Sequence, residues 1–186
     1  MANVAEPLRR AEGFIAHAAG APVSTVRLVP LTGPAMSALL QRDLATASAA
    51  AGVALPAAFL DDESLWSLRV KQVTADPASA PWFVRAVVAE PDAVVGHAGF
   101  HGPPDSDGMV EIGYAILPEH RRRGHARAAV GELLAYAREH GARTVRASVS
   151  PNNEPSLTLI RSNDFVQCGD QWDEEDGREL VFERAP

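Results

Sequence analysis

Hydrophobic positions between Met109 and Gly141 first alternate and then recur at helical spacing. Val110, Ile112, Tyr114 and Ile116 alternate with Glu111, Gly113, Ala115 and Leu117, the two-residue period of a strand. Ala126, Val130, Leu133, Leu134 and Ala137 then share one face of a helix, and Gly141 is its stop signal. Between the two elements stands Arg121-Arg122-Arg123-Gly124-His125-Ala126. The first amides of a helix have no internal partner and carry positive partial charge, so this basic corner is suited to an anion such as phosphate. Gly124 and Ala126 let a ligand come close to the backbone.

The pattern elsewhere predicts a strand over Thr25–Leu31, with Pro30 at its end, and a helix from Gly33-Pro34 to about Asp43. The stretch from Ala45 to Leu55 is ambiguous between helix and loop. Pro56 opens a further helix whose first turns are acidic, and its Phe59, Leu60, Trp66 and Leu68 serve either a core or a substrate groove, with core favoured. Trp82–Glu90 and Ala93–His101 read as a hairpin, and a loop dense in turn formers returns the chain to Val110. Strand 143–150 puts Val145, Ala147 and Val149 on one face. A last helix ends near Asn163, and a hairpin closes the chain around an acidic turn at 173–176. A strand, a helix and another strand in succession imply a parallel pair with a crossover. The expected class is α+β, one domain over 23–186 behind an N-terminal extension of residues 1–22 with a short helix from Pro7 to Ala19.

Composition narrows the function. The chain has 186 residues, 46% of them apolar, enough for one sizeable core. Its formal charge of −7 argues against nucleic acid as a partner, so the arginine cluster is a local feature. Cys168 is the lone cysteine, so no intrachain disulfide or thiolate metal cage is expected. No run approaches the roughly 20 apolar residues of a membrane span. No membrane partner is expected, a cytoplasmic location is, and a homodimer is left open.

Arg121-x-x-Gly124-x-Ala126 after a strand resembles the acyl-CoA pyrophosphate motif of the GNAT superfamily of N-acetyltransferases. Asn153-x-x-Ser156, followed by Leu157, Leu159 and Phe165, resembles that family's helix beside the pantetheine arm. Glu111-Ile112-Gly113-Tyr114 is most similar to the ribosomal-protein alanine and serine N-acetyltransferase branch. The resemblance implies a mixed, mostly antiparallel sheet with a central splayed parallel pair and flanking helices. It implies acetyl-CoA as co-substrate, no metal, and an amine acceptor on a small molecule or a protein N-terminus. Ile116 and Leu117 would pair with the arm through their main chains. Arg121, Arg122, Arg123, Gly124, His125 and Ala126 would hold the pyrophosphate, and Asn153 would bond the arm. Two positions depart from the family pattern. Ile160 stands where many members have a tyrosine acid, and Asp164 replaces a glycine but can adopt a left-handed helix end.

Acyl transfer from a thioester to an amine needs a way to remove the amine proton and a donor for the carbonyl oxygen. Glu111 is the leading base candidate, on a face that Gly113 and Ala115 keep clear; otherwise it forms an ion pair, for example with Arg85. If the loop over 102–109 closes symmetrically, Gly99 faces Glu111 and His97 faces Gly113. His97 is then either a second base or a structural histidine. His97 and His101, roughly 13 Å apart along a strand, cannot share one metal ion. His120 and His125 flank the phosphate loop. Ser156 either bonds the leaving thiolate or completes a helix cap. Cys168 reads as buried filler, and the acidic turn, if it borders the acceptor groove, favours a cationic amine. A non-catalytic acyl-CoA binding module is the alternative function. A nucleotide-phosphate enzyme is disfavoured because the loop has no Walker sequence.

Overall fold

A computed structural model describes residues 25–174 and 177–186. The expected helix at Pro7–Ala19 lies outside them, as does part of the acidic turn. The chain runs β1 (Val26–Pro30), α1 (Gly33–Leu40), α2 (Leu44–Ala51), α3 (Glu63–Ala75), β2 (Arg85–Ala89), β3 (Ala93–Phe100) and β4 (Met109–Ile116). It continues through α4 (His125–Glu139), β5 (Thr144–Val149), α5 (Glu154–Arg161), β6 (Val166–Asp173) and β7 (Gly177–Arg184). Short-range capping sets most boundaries. Thr32 accepts from the Ala35 amide to start α1, and Asp43 accepts from Thr46 to start α2, which Gly52 ends at φ 71°. The ambiguous alanine-rich stretch is therefore helical. The single helix expected after Pro56 is instead a 3₁₀ turn (Ala57–Asp61) and then α3, broken at Asp62. Trp82 does not begin a strand; it ends a 3₁₀ turn and packs edge-on against Phe100 and Tyr136.

Seven strands form one sheet in the order β1-β2-β3-β4-β5-β7-β6. Every neighbouring pair is antiparallel except β4 and β5. Strand β2 is buried along its whole length, as a central strand covered on both faces must be. Its Val87 joins Phe100, Ile112, Val130 and Leu133 in the core under α4. Its Ala86 and Val88 join Met36, Leu39, Phe59 and Trp66 in a second core under α1–α3. Phe59 and Trp66 are fully buried, and each contributes about 1.5–3 kcal/mol by removal from water, whereas Leu68 is half exposed and belongs to neither core. Cys168 also differs from expectation: it is exposed on β6, an edge strand with almost no buried position.

The parallel pair decides the rest. β4 and β5 pair only through Met109–Glu111 against Thr144–Arg146. Beyond Glu111, β4 stays with β3 as far as Ile116, and β5 stays with β7 as far as Val149. The two strands thus separate in the middle of the sheet.

Candidate active site

The mouth of the gap is built by local sequence. After β4 the chain turns through Pro118–His120, and the Arg121 Nε donates to the Ile116 carbonyl at 2.9 Å, tying the loop to the strand end. Arg122 (φ 59°) and Gly124 (φ 83°) are both left-handed, so the backbone coils and turns its N–H groups to one side. Gly124 is the N-cap of α4 and supplies no side-chain cap. The amides of Arg122, Arg123, Gly124 and Ala126 donate to no backbone carbonyl among the described residues. A 15-residue helix thus points its positive end at an amide-lined hollow.

This hollow is one end of a cleft of about 860 Å³, the size of a cofactor site. Of the sequence candidates, Ile116, Arg121, Arg122, Gly124, His125, Ala126, Asn153 and Ser156 line it, with His120 beside them. Arg123 and Leu117 do not. Leu117 donates to the Val95 carbonyl and accepts from the His120 amide, so its main chain is already engaged. Hydrogen bonding along an antiparallel pair alternates. Because Leu117 bonds Val95 and Glu111 accepts from His101, the main-chain groups of Tyr114 and Ile116 are the ones that face the gap. Partial burial, with the charges of His120 and Arg123, holds His125 below the ordinary histidine range.

On the opposite wall, Asn153 caps α5 by accepting from the Ser156 amide at 3.2 Å, which leaves its side-chain NH₂ for a ligand. Ile160 is fully buried in the core under α4, so that position offers nothing to the gap. Asp164 ends the helix turn at φ 61°, the left-handed conformation expected of it. A polar residue that does line the cleft is Tyr114. Its hydroxyl is buried without a hydrogen bond, and burial raises its ionisation above the ordinary tyrosine value, opposed by Ser156. An unsatisfied buried hydroxyl costs about 1–3 kcal/mol, an arrangement a bound ligand would relieve.

On the face towards α3, the register differs from the symmetric loop closure. Gly99 pairs with Gly113 and His97 with Ala115, while the His101 amide donates to the Glu111 carbonyl. The loop closes two residues later because Asp105 gathers the amides of Asp107 and Met109. A shift of two positions keeps each side chain on its face, but it makes His101, not Gly99, the neighbour of Glu111. His101 Nδ1 lies 3.9 Å from Glu111 Oε1. Its ring fills the space over Gly113, where an added Cβ would come within 3.1 Å. Desolvation holds His101 below its ordinary value and Arg69 acts the same way, while Glu111 opposes them. On its other side Glu111 pairs in register with Arg146, which is bound to Glu183 at 2.6 Å. Arg85, the expected partner of Glu111, lies on the opposite face over the Tyr136 ring. His97 is enclosed by the Phe59 and Trp66 rings, and its Nε2 lies 3.3 Å from Asp62.

Three residues of this region escaped sequence reasoning: His101, Tyr114 and Arg69 of α3. Asp105 within the turn was the signal for His101, since an aspartate that binds amides two and four residues on fixes the loop length. Nothing local marks the other two.

Comparison with known proteins places these features in context. The model of the acetyltransferase (GNAT) family matches residues 47–165. The uncharacterized N-acetyltransferase p20 of Bacillus licheniformis is 34% identical over 84 residues, covering 45% of this chain. The chain spans 47% of that relative's length. Among solved structures, a chimeric spermidine N-acetyltransferase from Vibrio cholerae and hSSAT superimposes with a TM-score of 0.61 at 18% identity, over 87% of this chain and 96% of the other. The ribosomal-protein-S5-alanine acetyltransferase of Vibrio fischeri gives 0.58 at 15% identity, over 86% and 91%. At these identities the superpositions speak for the fold.

Proposed function

Since the chain belongs to the GNAT acetyltransferase family, we propose that it moves an acetyl group from acetyl-CoA to a primary amine. The observation that carries this reading is the split of β4 from β5 beyond Glu111, with the amide hollow at its mouth. Acetyl-CoA supplies an activated thioester; attack by the amine nitrogen forms the C–N bond, and the C–S bond breaks to release the thiol. The chain's own groups hold and move protons. The Arg122–Ala126 backbone and the side chains of Arg121 and Arg122 hold the pyrophosphate, and the main chains of Tyr114 and Ile116 hold the arm. Glu111, beside a histidine that desolvation holds below its ordinary range, accepts the amine proton. Tyr114, with Ser156 next to it, supplies the proton to sulfur that Ile160 cannot. The structural neighbours named for spermidine and for a ribosomal-protein alanine support an acceptor on a small molecule or a protein N-terminus.

Free-thiol release from acetyl-CoA over a mixed panel of amines tests this. Tight acyl-CoA binding with no thiol release from any amine would support a binding module instead, a reading favoured by the burial of Ile160. Tyr114→Phe is expected to lower kcat roughly tenfold, less than the usual 10²–10⁴ for a lone acid because Ser156 remains. KM for acetyl-CoA stays unchanged. Because burial raises the Tyr114 ionisation above 10, the wild-type donor stays protonated to that pH. An unaltered kcat in the phenylalanine variant removes Tyr114 from the chemistry.

A further inference from the structure

We propose that the acceptor amine carries a carboxylate within a few bonds, and that Arg69 holds it. This rests on the transferase reading above and names the class of its second substrate. A cavity of about 130 Å³ lies between α3 and the β3–β4 face, lined among others by Leu65, Arg69, His101, Gly113 and Tyr114. Tyr114 borders the large cleft as well. The cavity has room for a carboxylate and a short carbon chain, not for a folded partner.

Arg69 is 6% exposed, and no carboxylate among the described residues pairs with it. Both of its side-chain hydrogen bonds leave from Nη1, to Gln72 Oε1 at 2.8 Å and to the His101 carbonyl at 3.0 Å. Its Nε is buried without a partner. The other inward arginines are committed. Arg85 donates to the carbonyls of Phe83 and Pro81 and lies 4.2 Å from the Tyr136 ring centroid, and Arg146 is bound to Glu183. Arg69 also lies 5.3 Å from the Phe83 ring centroid, but of these three it alone leaves its Nε–Nη2 edge without a hydrogen bond. That edge is the face of a guanidinium that grips a planar carboxylate with two parallel bonds. A buried cation without a counter-ion is costly, because burial removes its hydration.

This face carries charges of both signs around His101. Glu111 and Asp62 supply negative charge beside His101 and His97, while Arg69 supplies the positive charge. A small amino acid matches both, with its amine towards Glu111 and its carboxylate on Arg69. A polyamine would set a second ammonium against a guanidinium. The acidic turn favours a cationic acceptor, whereas the buried arginine favours a zwitterionic one.

The test uses the full chain and short amino acids, each paired with its own carboxamide. Binding is read by calorimetry in the presence of CoA, and turnover by thiol release from acetyl-CoA. The carboxylate forms are expected to bind and react roughly tenfold to hundredfold better than the carboxamides, the range for charge-assisted hydrogen bonds. In Arg69→Gln the ratio falls towards one while the KM for acetyl-CoA holds. Arg69→Lys keeps the charge but loses the fork, and it recovers only part of the preference. Equal binding and turnover of both forms by the wild-type protein overturns the carboxylate site without touching the transferase reading. Arg69-dependent binding of the carboxylate forms with no thiol release supports the site and overturns the transferase reading.

Discussion

Glu111→Gln is expected to slow acetyl transfer to a high-pKa amine by about 10²–10⁴, the usual worth of a general base. The side chain is shielded, 19% exposed, and sits at the last paired position before β4 and β5 part. The amide variant is nearly isosteric but accepts no proton. A peptide α-amine titrates near 8 and a lysine amine near 10.4, so the first needs far less help at neutral pH. The loss should therefore be largest for the high-pKa amine and shrink as pH rises. His101 gives this an internal check. Glu111 raises the His101 ionisation, so its removal lowers it further and leaves a neutral imidazole at hand. Residual activity in the variant should then disappear in the double substitution with His101→Phe. Rates equal to wild type for both amines below pH 8 would make Glu111 a structural residue.

Gly124→Val should weaken acyl-CoA binding by about 10² or more. Two effects act together at that position. Glycine at φ 83° is the N-cap of α4, and an L residue held there costs about 1–2 kcal/mol. A branched side chain also stands where the pyrophosphate must approach the amides, and each charge-assisted hydrogen bond lost is worth about 1.5–3 kcal/mol. The strain alone should lower Tm by about 2–8 °C in a chain of this size. Calorimetry at a temperature well below that Tm separates the two. Unchanged affinity in the folded variant would end the assignment of this loop to pyrophosphate. The surrounding cations predict a further signature: because exposed arginines act through a screened field, wild-type affinity should fall as salt rises.

What the sequence determined by itself was local. Two-residue alternation in β4, helical spacing in α4 and the Arg121–Ala126 turn each follow from contacts a few residues apart. The left-handed end at Asp164 belongs to the same class, since a short polar side chain tolerates that conformation. The break at Asp62 and the helicity of 44–51 were harder, because alanine and acidic residues suit several local states and tertiary packing chose among them. Register was settled by the Asp105 turn, and with it the identity of the neighbour of Glu111. The tertiary structure alone decided three things: where β4 and β5 part, that the Tyr114 hydroxyl is buried without a hydrogen bond, and that Arg69 is buried beside a cavity with its Nε unpartnered. Each depends on elements far apart in the chain. Burial and the pairing of a polar group are properties of the assembled neighbours, so no window of sequence around residue 69 or 114 contains them.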